Sequence, residues 1–406
     1  MVDTQLSILC QVEVPVEFYS CSVVLHGGQQ HRMGQWFSSP AAALFVKWRP
    51  GLLALFALAW MRRRHEAQRR ARGLSAGLPA PTVPSTPTLE RVGVSDATLE
   101  DVAPIVRELR ASFNSRRTRS LDARLAQLAA LRRLLREGEA ELVAAIERDL
   151  GRPRFETTIY DIMVTVQEVE HLITNLREWA APQTKGTSLT TWPSEDQSYS
   201  EPLGVVGIIG TWNYPVMLAL VPLAGAIAAG NTVVLKPCNV APHTALVVSK
   251  LVKQFMDPSW VSVVGPGIEG DRHTITELLE QKLDLVFYTG SPSVGRAVMQ
   301  AAAKHLTPVV LELGGKNPTI VAADADLSVA ARRILWGGMM NAGQQCIRPD
   351  YVLVERSVEE ELLRHLKRWA KTMYGSEDGG GEAKGGVRPR DQVGRIINAR
   401  HMQRLN

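Results

Sequence analysis

Two residues are a candidate nucleophile and a candidate general base. Cys346 ends the polar segment Asn341–Cys346, which reads Asn-Ala-Gly-Gln-Gln-Cys, and Glu312 lies between two leucines in the run Val309–Lys316. A thiolate attacks carbonyl carbons, and a positioned carboxylate can take a proton from water. The two residue types together favour covalent catalysis at the thiol.

The cysteine content of the chain supports this interpretation. The four cysteines show no CxxC or His-rich spacing, so neither a metal site nor a disulfide framework is predicted. A free cysteine is also often a small buried hydrophobe, but a small polar segment would leave Cys346 accessible. An acid in the position of Glu312 is costly to bury unless it is paired or used, and Gly314–Gly315 would let other groups approach it.

The elements that carry these residues alternate between strands and helices. Cys346 follows a predicted helix from Asp326 to about Met340. The predicted strands upstream are Val205–Ile209, Thr232–Leu235, Trp260–Val264, Leu285–Tyr288 and Pro308–Leu313. Strands separated by helices are typical of βαβ units, so we expect an α/β fold with a mostly parallel sheet covered on both faces. Ligands of such sheets bind at the carboxyl ends of the strands.

Three of these strand ends carry candidate binding groups. The strand at Leu285–Tyr288 leads through a Gly-containing turn, Thr289–Gly295, into an Ala-rich helix predicted at Val294–His305. Backbone N–H groups at such a helix start can hold a phosphate. A similar turn, Gly210–Pro215, follows the first strand, and Lys236 ends the second. Simple strand termination and a solvated lysine remain alternatives.

The helices before the sheet are predicted to serve packing. The first begins at a capping box at Thr98–Asp101 and runs to about Phe113, and Leu121–Leu135 shows helical leucine spacing. The residues Gly151–Pro153 end that region, and Ile162–Trp179 is predicted as a further amphipathic helix.

The composition is that of a globular protein with more than one core. The chain has 406 residues, of which 45% are hydrophobic, and its net charge is +5. The segment Met61–Arg72 holds six arginines and one glutamate, so it accounts for that charge. No spread basic face predicts nucleic-acid binding, and unpaired cysteines favour a reducing compartment.

Residues 1–95 are predicted to form an N-terminal extension. Ala41–Trp60 is apolar apart from a polar interruption, but only the ten residues Gly51–Trp60 are continuous, against the roughly 20 that a transmembrane helix needs. Membrane association through residues 41–72, with the C-terminal side in the cytosol, is one expectation. An organellar leader and an upstream segment without a role are the others. The Pro-rich stretch Ser75–Thr88 is predicted to be a linker.

Five motifs, in order, resemble those of the aldehyde dehydrogenase superfamily. They are Gly210–Pro215, Gly230–Pro237, Tyr288–Ser291, Leu311–Lys316 and Gly343–Cys346. The wording of Thr211–Pro215, Ala302–Pro308, Pro349–Tyr351 and Gly394–His401 is similar to the class 3 branch, whose members oxidise fatty and aromatic aldehydes. The resemblance runs from about residue 96 to the end. It implies a Rossmann-type NAD(P)-binding domain at 96–311 and a catalytic domain at 312–406.

The resemblance also implies a mechanism. Cys346 would attack the aldehyde, and the Asn213 amide with the Cys346 backbone N–H would hold the oxyanion. After hydride transfer to NAD or NADP, Glu312 would activate a water that hydrolyses the thioester to a carboxylic acid. Transfer to CoA and a phosphorylated substrate are the runners-up, and Glu312 favours hydrolysis.

The resemblance places the cofactor on a defined set of residues. The implied cofactor-binding residues are Thr211, Trp212, Lys236, Asn239, Gly290, Ser291 and Gly295. Asn239 departs from the family pattern, which has a glutamate there. A neutral amide would weaken NAD preference and tolerate a 2′-phosphate, although a surface asparagine of little effect fits equally.

The family pattern continues beyond Asn406, where the resemblance implies further segments that complete the nicotinamide site and join subunits into a homodimer. A C-terminally truncated enzyme is therefore expected, with a small-molecule aldehyde as substrate. The alternative is a catalytically silent form that binds nucleotide or associates with other subunits.

Overall fold

The computed structural model describes residues 102–265, 271–375 and 393–405, all within the unit Gly93–Asn406. The α-helices are α1 Val102–Asn114, α2 Leu121–Glu137, α3 Glu139–Leu150, α4 Arg154–Thr157, α5 Val164–Trp179, α6 Met217–Ala229, α7 Pro242–Phe255, α8 Asp271–Glu280, α9 Pro292–Ala303, α10 Leu327–Met339, α11 Glu359–Tyr374 and α12 Ala399–Leu405. The strands are β1 Gln183–Lys185, β2 Asp196–Ser198, β3 Val205–Ile209, β4 Thr232–Lys236, β5 Val261–Val263, β6 Leu285–Gly290, β7 Val309–Leu313, β8 Asn317–Val321 and β9 Pro349–Val354.

A five-stranded parallel sheet forms the centre of the fold, in the order β5-β4-β3-β6-β7. All five predicted strands are present, and the α/β prediction is confirmed. The chain moves outward from β3 on one side and then restarts at β6 on the other. Ligands of open α/β sheets bind at such a switch, beyond the carboxyl ends of the strands.

Both faces of the sheet are covered at its central strands β3 and β4, where successive residues point to opposite sides. Every residue of β3 and β4 is buried. Val206 and Ile208 pack in one hydrophobic cluster, whereas Val205 and Ile209 pack in the other. This arrangement explains the continuous apolar strands of the sequence.

The helices follow the predictions with shifted starts. The helix predicted from Ile162 begins earlier as α4, continues through a π-helical turn at Thr158–Met163 and becomes α5. The Ala-rich helix begins at Pro292 rather than Val294, because Ser291 caps it and proline suits a first helical turn. The start at Thr98, the linker and the extension at 1–95 lie outside the described residues.

A smaller layer follows the sheet. Strands β8 and β9 pair in parallel, and a third hydrophobic cluster joins them to α10 and α11 around Val321 and Leu362. These two strands were not predicted. The division of the chain at residues 311 and 312 stays a prediction.

Within the described ranges, no helix has both the length and the apolar character of a membrane span. The predicted membrane-associated segment, 41–72, is outside those ranges.

Candidate functional site

The nucleophile candidate follows a tight turn at the end of α10. A 3-10 turn, Met340–Gly343, which we call the nucleophile turn, leads to Cys346, whose thiol is free and half-buried. Asn341, Ala342 and Gly343 all adopt positive φ, at 50°, 54° and 74°. Left-handed backbone is strained for residues with a Cβ. Strain of this kind persists where surrounding contacts fix it, and it concentrates at functional sites.

The predicted oxyanion donor lies beside this turn. Asn213 follows β3, and its Nδ2 donates to the carbonyl oxygen of Gln344 at 3.0 Å. The Nδ2 of Asn341, which is fully buried, donates to the Asn213 carbonyl at 2.8 Å and to the Gln344 carbonyl at 3.2 Å. A primary amide has two N–H donors, so Asn213 can hold the backbone and still offer a hydrogen to a ligand oxygen.

The segment from Gly315 to Asn317, at the connection between β7 and β8, contacts the backbone of Cys346. Asn317 Nδ2 donates to the Cys346 carbonyl at 2.8 Å and to the Arg348 carbonyl at 3.1 Å. A Cβ on Gly315 would lie 3.1 Å from the Cys346 carbonyl oxygen, so glycine permits this approach. The contact is with Gly315 itself, so the expectation that Gly314–Gly315 lets other groups approach Glu312 stays a prediction.

Glu312 differs from the expectation of a costly buried acid. Its strand, β7, is the edge strand of the described sheet, and its side chain is exposed. It pairs in register with Thr289 near the carboxyl end of β6. Among the described residues it forms no ion pair. Water can therefore reach this carboxylate, and its assignment as general base stays a prediction.

Sequence reasoning missed a buried ion pair behind the site. Arg152 and Asp161 are both fully buried and form a hydrogen-bonded ion pair. Burial raises the pKa of Asp161, and the Arg152 charge and the backbone N–H of Met217 oppose that rise. The sequence signal was weak, because Arg152 stands in Gly151–Pro153, which predicted only a helix end.

Glu156 is a second missed residue. Its carboxylate accepts the backbone N–H of Asn341 at the start of the strained turn. Burial raises its pKa, while the Asn341 N–H and the Arg152 charge act in the opposite direction.

Asp350, in β9, connects the segment between β7 and β8 with the segment that follows Cys346. It forms ion pairs with Lys316 and with Arg348, the latter at 3.1 Å. The hydrogen bond from Lys316 is the main reason that its pKa lies below its usual value, and Arg348 adds to the effect.

At the sheet edge, Lys236 is buried rather than solvated. It is 1% exposed, and its Nζ donates to the Pro237 carbonyl at 2.7 Å and to Asn239 Oδ1 at 2.8 Å. The alternative of a solvated strand end is therefore wrong. Asn239 is half-buried and bonded to the lysine, so it is not an independent surface residue.

The turn from β6 to α9 presents a helix start at the switch point. Ser291 caps α9, with its Oγ accepting the Val294 N–H at 3.4 Å. A Cβ on Gly295 would meet a Leu313 side-chain carbon at 3.0 Å, so the helix packs closely on β7. The Oγ1 of Thr289 is buried and has no hydrogen-bond partner among the described residues. A helix N-terminus, a buried ammonium and an unsatisfied hydroxyl at one sheet edge fit a dinucleotide.

Thr211 and Trp212 lie on the same edge, in the turn before Asn213. Thr211 is 7% exposed, and the Trp212 ring packs on the His401 ring at 4.8 Å between centroids. Burial lowers the pKa of His401, and Arg404 and Arg400 lower it further. Within the described residues no cluster of three or more metal-binding side chains occurs.

The chain matches a model of the aldehyde dehydrogenase family over residues 84–406. It is 43% identical over 307 residues to the dimeric NADP-preferring aldehyde dehydrogenase of Canis lupus familiaris, covering 76% of this chain and 65% of the relative. It is 43% identical over 309 residues to aldehyde dehydrogenase family 3 member H1 of Arabidopsis thaliana, covering 75% and 61%.

Among solved structures, it resembles Staphylococcus aureus AldH in a substrate-bound state, with 33% identity and a TM-score of 0.69. That match covers 75% of this chain and 64% of the solved chain. The chain thus spans less than two thirds of the length of the proteins it matches.

Proposed function

Because the chain belongs to the aldehyde dehydrogenase family, we propose that it supplies the nucleophile, the oxyanion donor and the general base for oxidising an aldehyde to a carboxylic acid. The observation that carries the proposal is the hydrogen bond from Asn213 Nδ2 to the Gln344 carbonyl. It sets an amide donor beside the backbone that leads to Cys346. A nucleophile beside an oxyanion donor is the arrangement that acyl chemistry needs.

The chemistry begins at Cys346. Its thiolate forms a bond to the aldehyde carbon, and the carbonyl oxygen becomes an oxyanion that accepts hydrogen bonds from the Asn213 amide and the Cys346 N–H. A nicotinamide cofactor held by Lys236, Ser291 and the start of α9 would supply the hydride acceptor, so that loss of hydride from the thiohemiacetal would leave a thioester on the Cys346 sulfur. Glu312 then takes a proton from a water that attacks the thioester, and the thiolate leaves as the acid is released.

The cofactor in this proposal is NAD or NADP. Lys236 and Asn239 would face the adenosine ribose, and Ser291 with the start of α9 would hold the pyrophosphate. The neutral Asn239 does not repel a 2′-phosphate, whereas a carboxylate would. The name of the dog relative, NADP-preferring, supports this tolerance.

The substrate in this proposal is a medium- or long-chain aliphatic aldehyde or an aromatic one. The class 3 motif wording and the family 3 relative support it. The word dimeric in the name of the dog relative supports a homodimer, which light scattering of the purified chain would test.

The deciding experiment is stopped-flow observation of nicotinamide reduction by the purified 406-residue chain, with a medium-chain aldehyde and NAD or NADP. A burst that disappears in Cys346→Ala is expected. A folded protein, verified by a cooperative melt, that shows no burst would contradict the proposal.

One observation favours a second candidate, a nucleotide-binding chain without turnover. The general base candidate is exposed and without an ion-pair partner among the described residues, so the hydrolytic half of the reaction has the weaker support. Binding of NADP by calorimetry without a burst would favour this candidate.

For residues 41–72 we propose membrane association or an organellar leader, because an apolar run is followed directly by arginines. Carbonate extraction of membranes from cells that express the chain, beside a variant lacking residues 1–95, separates the two. Retention of the full chain alone supports an anchor, and release of both forms excludes it.

A further inference from the structure

A segment between α3 and α5 contacts both the turn that carries Asn213 and the turn that leads to Cys346. It runs from Arg152 to Met163, includes α4 and the π-helical turn Thr158–Met163, and carries the Arg152–Asp161 ion pair. Single π-turns within helices occur often at functional sites. A buried ion pair is weak evidence of stability, since apolar replacements are often neutral. Stability alone therefore does not account for the pair.

The ion pair holds the turn that carries the candidate oxyanion donor at two points. Arg152 Nη1 donates to the Asn213 carbonyl at 3.1 Å, and its guanidinium lies 4.9 Å from the centre of the Tyr214 ring. Asp161 Oδ1 accepts the N–H of Met217, the first residue of α6, at 2.5 Å. The turn between β3 and α6 is thus bound at Asn213 and at Met217 by two charges that hold each other.

The same segment holds the nucleophile turn. Glu156 accepts the N–H of Asn341, and Asn341 in turn donates to the Asn213 carbonyl. That carbonyl is shared by Arg152 and Asn341. The shared acceptor joins the two loops, and both loops are hydrogen-bonded to the segment Arg152–Met163.

We propose that Arg152 and Asp161, with Glu156, are positioning residues that hold the Asn213 amide against the nucleophile turn. The inference rests on the proposed function. These side chains touch no reacting atom and act through the backbone of Asn213 and Asn341. Displacing a catalytic group by about 1 Å can cost about 10²-fold in rate, so the distances they set matter to the chemistry.

The test compares Asp161→Asn with a change at a buried arginine whose hydrogen bonds go to neither Asn213 nor Asn341. Arg124 is 7% exposed and donates to the carbonyls of Thr118 and Ala228, so Arg124→Lys controls for the loss of a buried polar contact. Three quantities are measured on the full chain: the melting temperature, the burst rate with its aldehyde and cofactor dependence, and hydrogen–deuterium exchange of the peptide containing residues 341–347.

Asp161→Asn is expected to slow the burst about 10²-fold with little change in apparent cofactor affinity, and to speed exchange at 341–347 by on the order of 10-fold. Arg124→Lys is expected to alter the melt but neither of these readouts. Equal loss in both variants, in proportion to their melting temperatures, would overturn the proposal and leave a purely structural role.

A second pair of variants, at Glu156, tests the proposal if Asp161→Asn does not fold. Glu156 is half-buried. Glu156→Ala removes the acceptor for Asn341 and should reproduce the rate and exchange effects, whereas Glu156→Gln keeps an oxygen there and should restore part of them. If Glu156→Ala leaves both readouts unchanged, the proposal fails. If the wild-type chain shows no burst, the proposed function fails, and the exchange data still decide whether the segment holds the nucleophile turn.

Discussion

The nucleophile turn, which leads to the candidate Cys346, and the strand of the candidate general base are built in opposite ways. Around Cys346, Asn341 is fully buried, three consecutive residues are left-handed, and hydrogen bonds arrive from Asn213 and Asn317. Glu312 stands exposed on an edge strand. In the proposed reaction, attack and oxyanion formation would therefore have a preorganised frame, whereas water activation would depend on a side chain that has no ion-pair partner among the described residues. Preorganised donors act without reorganisation during the reaction.

The largest expected effect is at Glu312, where a substitution should separate thioester formation from thioester hydrolysis. Glu312→Gln should keep the burst of nicotinamide reduction but reduce steady turnover by about 10²–10⁴-fold, because the thioester forms and then waits. Single-turnover and steady-state kinetics measure the two. Glu137→Gln, at an exposed glutamate in α2, is the control. Loss of the burst itself would mean that Glu312 acts in thioester formation rather than in hydrolysis.

Asn213→Ala tests the preorganised region around the nucleophile turn. Removing one oxyanion donor should slow the burst by about 10²–10³-fold. The matched control is Asn175→Ala, whose amide donates to His171 within α5. Stopped-flow rates that fall equally in both variants would show that the Asn213 amide has no special role.

A smaller effect is expected from relieving the backbone strain at Ala342 in the nucleophile turn. Ala342→Gly should raise the free energy of unfolding by up to about 1 kcal/mol, because left-handed backbone costs about 1–2 kcal/mol and the flexibility of glycine offsets part of the gain. Leu306, at φ 54° and 91% exposed, offers the same backbone away from the site. Denaturant unfolding should show a higher free energy of unfolding in both Ala342→Gly and Leu306→Gly.

The burst rate distinguishes those two variants. It should fall only in Ala342→Gly, since only that change loosens the nucleophile turn. An equal burst rate in both variants would mean that the strain has no catalytic consequence.

The smallest expected effect is on the pH dependence of stability. It arises at Asp350, whose ion pairs with Lys316 and Arg348 link the segment after β7 to the segment after Cys346. Its native pKa is below its unfolded value, so the unfolded chain binds more protons and the ion pairs stabilise the fold above that value. This contribution should disappear as pH falls through the native pKa. Urea unfolding from about pH 5 downward should lose stability less steeply in Asp350→Asn than in wild type. Asp324→Asn, at an exposed carboxylate after β8, should behave as wild type.

Much of the sheet was predictable because its residues are locally consistent. Continuous β-branched runs such as Val205–Ile209 can satisfy both faces only in a covered parallel strand, and Gly151 and Gly230 end helices in the left-handed conformation that favours glycine. Strands β8 and β9 were missed, because each is half-exposed and pairs across the helix α10.

The sequence by itself determined which residue types could carry the chemistry, because Cys346, Glu312 and Asn213 stand in motifs that can be read locally. Tertiary structure decided their environments. Asn213 meets Gln344 across 131 positions, and Glu156 meets Asn341 across 185. Exposure of Glu312 and burial of Arg152 follow from which strand forms the sheet edge and which helix turn packs beneath the site. These are properties of long-range packing, on which local propensity carries no information.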